Sequence, residues 1–555
     1  MLKKKIFAVA MVACSQGVLA QQPPSAGSQM QQIPPPPTPS RVVPRVEVAP
    51  RQAPVTPDLG TVKIVVKRLI VTGARAYSAA ELLAVTGFVP GSELSLADLR
   101  GMAARIADYY HRNGYFVAQA YLPAQDIKDG TVTIAVIDGQ YGKITLNNQT
   151  NVANSLANGL LGGVASGDAV QSAPLESALL LLSDLPGVNV KSTLLPGAAV
   201  GTSDLIVNMT PGQRVSGEVD VDNAGNRYTG EYRFGATINF NEPTGNGDVA
   251  SLRALTSGAG LNYARASYQM QFGKARAGVA YSMMAYKLGR EFESLRANGT
   301  ADIASIYGSY PLVRSRNDNL YVGLAFDAKT FRDKVDATAF VGDKKAQVLM
   351  ASLYGDHRDN FGGGGASAYS LTWSAGHLNI ETAAVQAADA ATAQSNGSYN
   401  KLAFRASRLQ NITQSVALYA AINGQVASKN LDIAEKMELG GMYGVRAYPE
   451  GEAYADQGYV LNLEARWLLP KYSDRMAGQL QLIGFVDTGS VTTDKTPWAA
   501  GSNHRRLSGA GVGLSWSDND NFVVRAYYAR KLGNETATSA PDKAGRFWIQ
   551  AVKYF

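Results

Sequence analysis

The sequence predicts a transmembrane antiparallel β-barrel of sixteen strands, preceded by two α+β units. Three observations carry that reading. An export signal opens the chain, no run of eighteen or more apolar residues occurs in it, and from Arg214 onward short segments alternate apolar and polar residues. A helix needs about 20 apolar residues to cross a bilayer, whereas a tilted strand needs only about 10. Membrane affinity hidden in alternation also lets an exported chain pass the inner membrane without being trapped there.

Lys3, Lys4 and Lys5 form a basic head, Ile6 to Cys14 a short apolar core, and Val18-Leu19-Ala20 a small-residue cleavage site. Residues 1–20 therefore read as a signal peptide. Their removal takes away three lysines and no acid, so the net charge of +7 falls to +4. That excess is modest and unclustered, which argues against a nucleic-acid partner. Cys14, the single cysteine, lies in the leader, so the mature protein is expected to have no disulfide or thiol chemistry. Met11-Val12-Ala13-Cys14 also has the outline of a lipoprotein box, with a poorly fitting Met at its first position. Low charge (17%) with 56 Gly and 27 Tyr suits short strands and aromatic girdles better than a soluble α/β enzyme.

Residues 21–60 read as a Pro-rich linker, since 21–58 hold eleven of the 23 prolines. Such a segment favours extended polyproline II and cannot form a core. Residues 61–139 read as a compact unit of order β-α-α-β-β. Val62 to Val71 alternates like a strand, Ser78 to Thr86 suits a short helix, and Ser95 caps a longer one with Asp98 in the capping-box position. Leu96, Leu99, Ala103, Ile106 and Tyr110 share one helical face, and Gly114 ends the helix. Strands at Phe116 to Leu122 and Thr131 to Ile137 follow. Residues 140–211 repeat the order: strand Lys143 to Leu146, helices Asn151 to Leu161 and Pro174 to Ser183, and strands Val188 to Leu195 and Asp204 to Met209.

Residues 212–555 form the barrel. Val215, Gly217, Val219 and Val221 alternate with Ser216, Glu218, Asp220 and Asp222, and Tyr232, Phe234, Ala236, Ile238 and Phe240 repeat the pattern. One face suits lipid and the other water. At roughly 20 residues per strand with its share of loop, the 344 residues give about sixteen strands. Phe361 to Gly365 and Ala387 to Ser398 read as loops. In the last strand Phe547, Ile549, Ala551 and the terminal Phe555 share a face that Lys553 interrupts; near an interface that ammonium could snorkel.

One segment stands out. Gly440-Gly441-Met442-Tyr443-Gly444-Val445-Arg446-Ala447-Tyr448-Pro449-Glu450-Gly451-Glu452 is followed by Phe485-Val486-Asp487-Thr488-Gly489. A buried arginine needs a carboxylate, and Arg446 with Asp487 can pair bidentately. Ala447 needs no positive φ, Gly489 allows the loop to come close, and Phe485 packs at the strand. The two segments resemble the V-R-G/A-Y loop and F-x-D-x-G strand of the two-partner secretion translocators, the TpsB proteins of the ShlB/FhaC/HecB type. The turn Asn113-Gly114-Tyr115 and the run Leu181 to Val188 resemble the two POTRA domains of that family.

The resemblance implies periplasmic POTRA domains at 61–139 and 140–211, a sixteen-stranded outer-membrane barrel, and export of one large exoprotein, of adhesin or haemolysin type, bearing an N-terminal secretion domain. It implies a pore-loop lock of Val445, Arg446, Ala447, Tyr448, Phe485, Asp487 and Gly489, with Asp487→Ala resembling Arg446→Ala. It also implies that Phe555 is read by the barrel-assembly machinery, with lipid as the other partner. Related translocators often carry an N-terminal plug helix. No amphipathic helix precedes this linker, since Gln21 to Ile33 is short and interrupted by Pro23-Pro24, which argues against such a plug. Enzymatic readings have no footing: His111, His357, His377 and His504 are scattered, no nucleophile elbow or P-loop occurs, and Ser517-Asp518-Asn519 suits a turn. No cofactor or metal is called for. A BamA-like insertase would carry more POTRA units, and a barrel enzyme would need a rim dyad that the sequence does not offer.

Overall fold

The computed structural model describes residues 23–35, 46–48 and 62–555, except 472, 474 and 520. The expected signal peptide, Cys14 and most of the expected linker lie outside these residues. A short helix, α1 (Ala26–Gln31), and a three-residue strand, β1 (Val46–Val48), come first.

The first α+β unit splits the expected strand at 62–71 in two. β2 (Lys63–Val66) pairs with a strand the alternation did not show, β4 (Ser92–Ser95), while β3 (Arg68–Thr72) runs parallel to β6 (Thr131–Ile137). The break falls at Lys67, where Lys67 N and Arg68 N both donate to Gly130 O, at 2.8 and 3.2 Å. β5 (Gln119–Tyr121) completes the second sheet. Between them lie α2 (Ala79–Thr86), capped by Ser78, and α3 (Leu96–Arg112), whose capping box pairs Ser95 with Asp98. Leu99, Met102, Ala103, Ile106 and Tyr110 of α3 are buried on the sheet, and Tyr77, Tyr110 and Tyr115 pack edge to face. Leu96 is only half-buried.

The second unit contains β7 (Gln140–Asn148), α4 (Asn154–Leu160), α5 (Ser172–Ser183), β8 (Val188–Pro196) and β9 (Thr202–Pro211). Its sheet has the order β1-β8-β9-β7, so a piece of the linker covers the β8 edge as a parallel strand. Asp184, at the end of α5, is gripped by the barrel: Arg314 donates to both of its carboxylate oxygens at 2.8 and 2.9 Å, and Arg276 donates to its carbonyl at 2.7 Å.

Sixteen antiparallel strands, β10 (Val215–Asp222) to β25 (Gly545–Tyr554), close into a barrel when β10 meets β25. Gly217 and Phe555 exchange backbone hydrogen bonds of 2.9 and 3.0 Å at that seam. Side chains alternate as expected: Phe234, Phe547 and Phe555 point outward, while Asp220, Asp222 and Trp548 are buried toward the lumen. Lys553 reaches the Asn521 side chain in the neighbouring turn, so its charge sits at the barrel rim. Turns facing the α+β units are short, as at 273–274 and 315–317; loops at the far end are longer, as at 381–396 and 428–456. The 361–365 turn needs its glycines, with Gly362, Gly363 and Gly364 at φ +54, +99 and +93. The run Ala387 to Ser398 is not all loop: α6 (Ala383–Ala391) occupies its first part, as an alanine-rich segment favours. No described helix is long and apolar enough to cross a membrane; the strands do so. A closed barrel resists detergent, so the purified protein should migrate differently on gels before and after boiling. Identical migration would contradict the closed seam.

Candidate functional site

The loop 428–456 joins β20 (Val416–Ala427) to β21 (Gln457–Leu468) and folds back into the barrel. Its glycines permit the fold. A Cβ on Gly440 would lie 2.4 Å from Pro449 O, and one on Gly444 would lie 2.4 Å from Gly440 O. Val445, Ala447 and Tyr448 are fully buried against Leu439, Phe485, Leu507 and Ala529. Ala447 has no positive φ. The barrel wall is bared to receive the loop. A Cβ on Gly489 would fall 2.2 Å from Leu439 Cδ1, and one on Gly509 would fall 2.5 Å from the Ala447 Cβ.

Arg446 reaches Asp487 on β22 (Gln479–Thr492) through both arms of its fork, Nε to Oδ2 at 2.8 Å and Nη2 to Oδ1 at 2.7 Å. The Arg446 backbone N–H donates to the same carboxylate at 3.1 Å, which ties main chain and side chain to one partner. The third nitrogen, Nη1, donates to Glu464 Oε1 at 2.8 Å. Phe485 lies under the guanidinium, 3.5 Å from its carbon to the ring centroid, with Tyr527 at 5.0 Å. Thus Phe485 is a platform for the cation, a closer role than packing at the strand. Asn462 donates to Asp487 Oδ1 at 2.8 Å and to Gly444 O at 3.0 Å, and Trp548 Nε1 donates to Arg446 O at 2.7 Å.

The structure brings all seven residues of the expected lock together. Sequence reasoning missed Asn462, Glu464, Tyr527 and Trp548. An acid on the lumenal side of a membrane strand was the available signal for Glu464, because such a group requires a partner.

Glu452 is a second anchor. Its carboxylate is fully buried and accepts from Thr538 N and Ser539 N at 2.8 Å each, from both their hydroxyls, and from Arg505. Burial alone would raise this carboxyl; Arg505 and the N–H donors outweigh it and hold it below its usual value. The loop is thereby fastened to the last far-end loop, residues 532–544.

Helix α1 lies in the same lumen, inside the segment 21–60 read as linker and against the expectation that Gln21 to Ile33 holds no helix. Six residues are too few for an amphipathic period to show, and isolated helices that short do not persist in water. Tertiary contacts and the Ser25 cap stabilise it. Ala26 N donates to Asp333 Oδ1 at 2.7 Å, Thr229 Oγ1 to Gln29 Oε1 at 2.6 Å, and Arg233 Nη1 to Gln32 O at 2.8 Å. Gln32 Nε2 donates to the Tyr454 hydroxyl at 2.6 Å, joining the helix to the loop. Ala26 is fully buried beside Tyr228, Leu255, Tyr286 and Phe331.

The family model for the haemolysin secretion/activation protein ShlB/FhaC/HecB matches residues 201–516, and that for the ShlB-type POTRA domain matches 64–139. The heme/hemopexin transporter protein HuxB of Haemophilus influenzae is 32% identical over 472 residues, 84% of this chain and 82% of its own. The outer membrane transporter CdiB of Dickeya dadantii is 24% identical, covering 76% of this chain and 74% of its own. Among solved structures, CdiB from Escherichia coli superposes with a TM-score of 0.70 at 19% identity over 90% of this chain and 93% of that one. BamA from Haemophilus ducreyi lacking POTRA domains 1–3 gives 0.53 at 15% identity, over 89% of this chain and 100% of that one, so it shares the barrel fold. The chain belongs to the ShlB/FhaC/HecB family of haemolysin secretion/activation proteins, outer-membrane transporters of two-partner secretion with a periplasmic POTRA module and a sixteen-stranded barrel.

Proposed function

We propose that this transporter receives one large unfolded exoprotein on its POTRA domains and passes it through its own barrel lumen, with residues 140–211 acting as the second POTRA domain. The observation that carries this reading is that a closed barrel holds its own loop, pinned at Arg446, and its own helix α1 in the lumen. A conduit filled by movable parts of its own chain is closed at rest and opens when they leave. Arg446, with Val445, Ala447, Tyr448, Phe485, Asp487 and Gly489, forms the lock that sets the loop. Folding of the cargo outside biases its passage, because a folded segment cannot slide back. The adhesin and haemolysin classes of cargo are joined, through the 32% identity to HuxB, by a heme/hemopexin-linked one. Lipid meets the outward face, and the assembly machinery reads the terminal strand with Phe555.

Cargo adds a strand to an open sheet edge. Among the described residues β1 already covers β8, which leaves β1 itself and β7 as edges in the second unit, and β3, β5 and the β2–β4 pair in the first. Shortening the linker is therefore tolerated only where Val46–Val48 stays in place. Deleting residues 61–139 should leave a barrel that inserts, with its heat shift intact, but secretes nothing. Isolated residues 61–211 should bind the unfolded secretion domain of the exoprotein in preference to the folded form. Unchanged export after the deletion would refute reception by the POTRA domains.

A further inference from the structure

The loop does more than carry Arg446. Its first arm makes a 3-10 turn, Ile433–Glu435, that lies directly against α1. Gly27 is the point of contact: a Cβ there would sit 2.7 Å from Ala434 Cβ and 3.1 Å from Ala434 Cα. Only a bare backbone allows the helix this close. The turn is held to the barrel wall by lysines from three strands, one of them β16, whose Asp333 also holds the helix. Glu435 pairs with Lys329 of β16 (Asp318–Val335) at 2.7 Å and with Lys401 of β19 (Gly397–Asn411) at 2.8 Å. Asp432 pairs with Lys344 of β17 (Phe340–Asp359) at 2.6 Å and also caps the turn, accepting from Ala434 N at 3.0 Å. Lys401 Nζ and Gln425 Nε2 both donate to Glu435 O at 3.0 Å.

We infer that the turn Asp432–Glu435, clamped by Lys329, Lys344 and Lys401, is the seat on which helix α1 closes the pore, so that these residues are positioning residues for closure. This rests on the reading that α1 closes the lumen at rest. The clamp and the Arg446 lock use different carboxylates and different strands: the first arm of the loop seats the helix on Ala434, while the second is fixed to β22 at Asp487 and meets the helix through Tyr454 and Gln32. Moving the turn away from the lysines therefore unseats the helix while Arg446 stays on Asp487. Burial would raise the Glu435 carboxyl, but the Lys329 and Lys401 ammonium groups outweigh it and hold it at about 2. Relative to an ordinary value of 4.5, its contribution is present above that value and is lost only as the pH falls through about 2. The clamp is thus charged throughout the range in which the cell lives.

The test measures ion conductance of the purified full-length protein in planar bilayers, and sensitivity of expressing cells to a large hydrophilic antibiotic. Each variant is first checked for the heat shift of an assembled barrel. Deleting residues 23–33 tests the closure reading and should open the pore. Glu435→Gln and Lys401→Met should raise the open fraction by about five- to thirtyfold, the effect of weakening the closed state by one or two kcal/mol. Gly27→Ala should open it from the helix side, and adding Ala434→Gly should restore closure by removing the opposing Cβ. A merely structural role would give no such rescue. If the deletion opens the pore while Glu435→Gln and Gly27→Ala stay closed, the seat is refuted and the closure reading stands. If the deletion itself leaves the pore closed, both fall.

Discussion

Arg446→Ala is expected to abolish or sharply reduce appearance of the exoprotein in the medium, with the barrel still assembled by its heat shift. Truncation strands the buried Asp487 carboxylate, which the guanidinium now satisfies at 2.7 Å and which is left with the Asn462 side chain, whereas Glu464 keeps Arg466 at 2.7 Å. Removing one partner of such a buried group costs about 3–5 kcal/mol, because the charge left behind is uncompensated. The loss falls on the loop's position, since the strands keep their own ladders. Asp487→Ala should be milder than the sequence suggests, because Arg446 retains Glu464 and the Phe485 ring. The double variant should be little worse than Arg446→Ala alone, as the pair acts as a unit. Arg446→Lys should not rescue fully: a single ammonium cannot span Nε and Nη2 contacts made by a planar fork. Full export by Arg446→Ala would remove the lock from the account.

Glu452→Ala is expected to have a comparably large effect by a different route. The carboxylate gathers Thr538, Ser539 and Arg505, so its loss leaves Arg505 without its close partner and unties the far-end loop 532–544 from the lumenal loop. About 3–5 kcal/mol of positioning energy is at stake by the same reasoning. Protease added to intact cells should then cut within 532–544 faster than in the parent, and export should fall. Glu452→Gln keeps the shape and some acceptors, so it should fall between the two. Unchanged protease resistance would show that the loop is held by other contacts, such as the Tyr448 hydroxyl on Glu535 O at 3.1 Å.

The parts legible in the sequence are those fixed by local pattern. Period-two alternation revealed the barrel because lipid and lumen impose it on every strand, and the Ser95–Asp98 capping box marked the start of α3 before any contact was known. The Arg446–Asp487 pair was legible from chemistry, because a buried cation must find an acid. What remained hidden depends on non-local contacts. Strand β4 shows little alternation and exists because β2 pairs with it. Helix α1 has under two turns and is stabilised by Asp333, Arg233 and Thr229, residues some 200 to 300 positions away. Glu464 joined the site only when the register placed it on the lumenal face of β21, opposite Phe485.

The claim at the centre of this account is that the exoprotein travels through the barrel's own lumen. Leu353 and Tyr354 are neighbours on β17 that face opposite ways: Leu353 is exposed on the outer wall, and Tyr354 stacks on Tyr321 with centroids 5.3 Å apart on the lumenal side, near Arg276 and Asp184. A photoreactive amino acid placed at either position, in cells exporting an exoprotein whose C-terminal folding has been stalled, reads the route directly. The account predicts a crosslink to the exoprotein from position 354 and none from 353. A crosslink from 353 with none from 354 would contradict it.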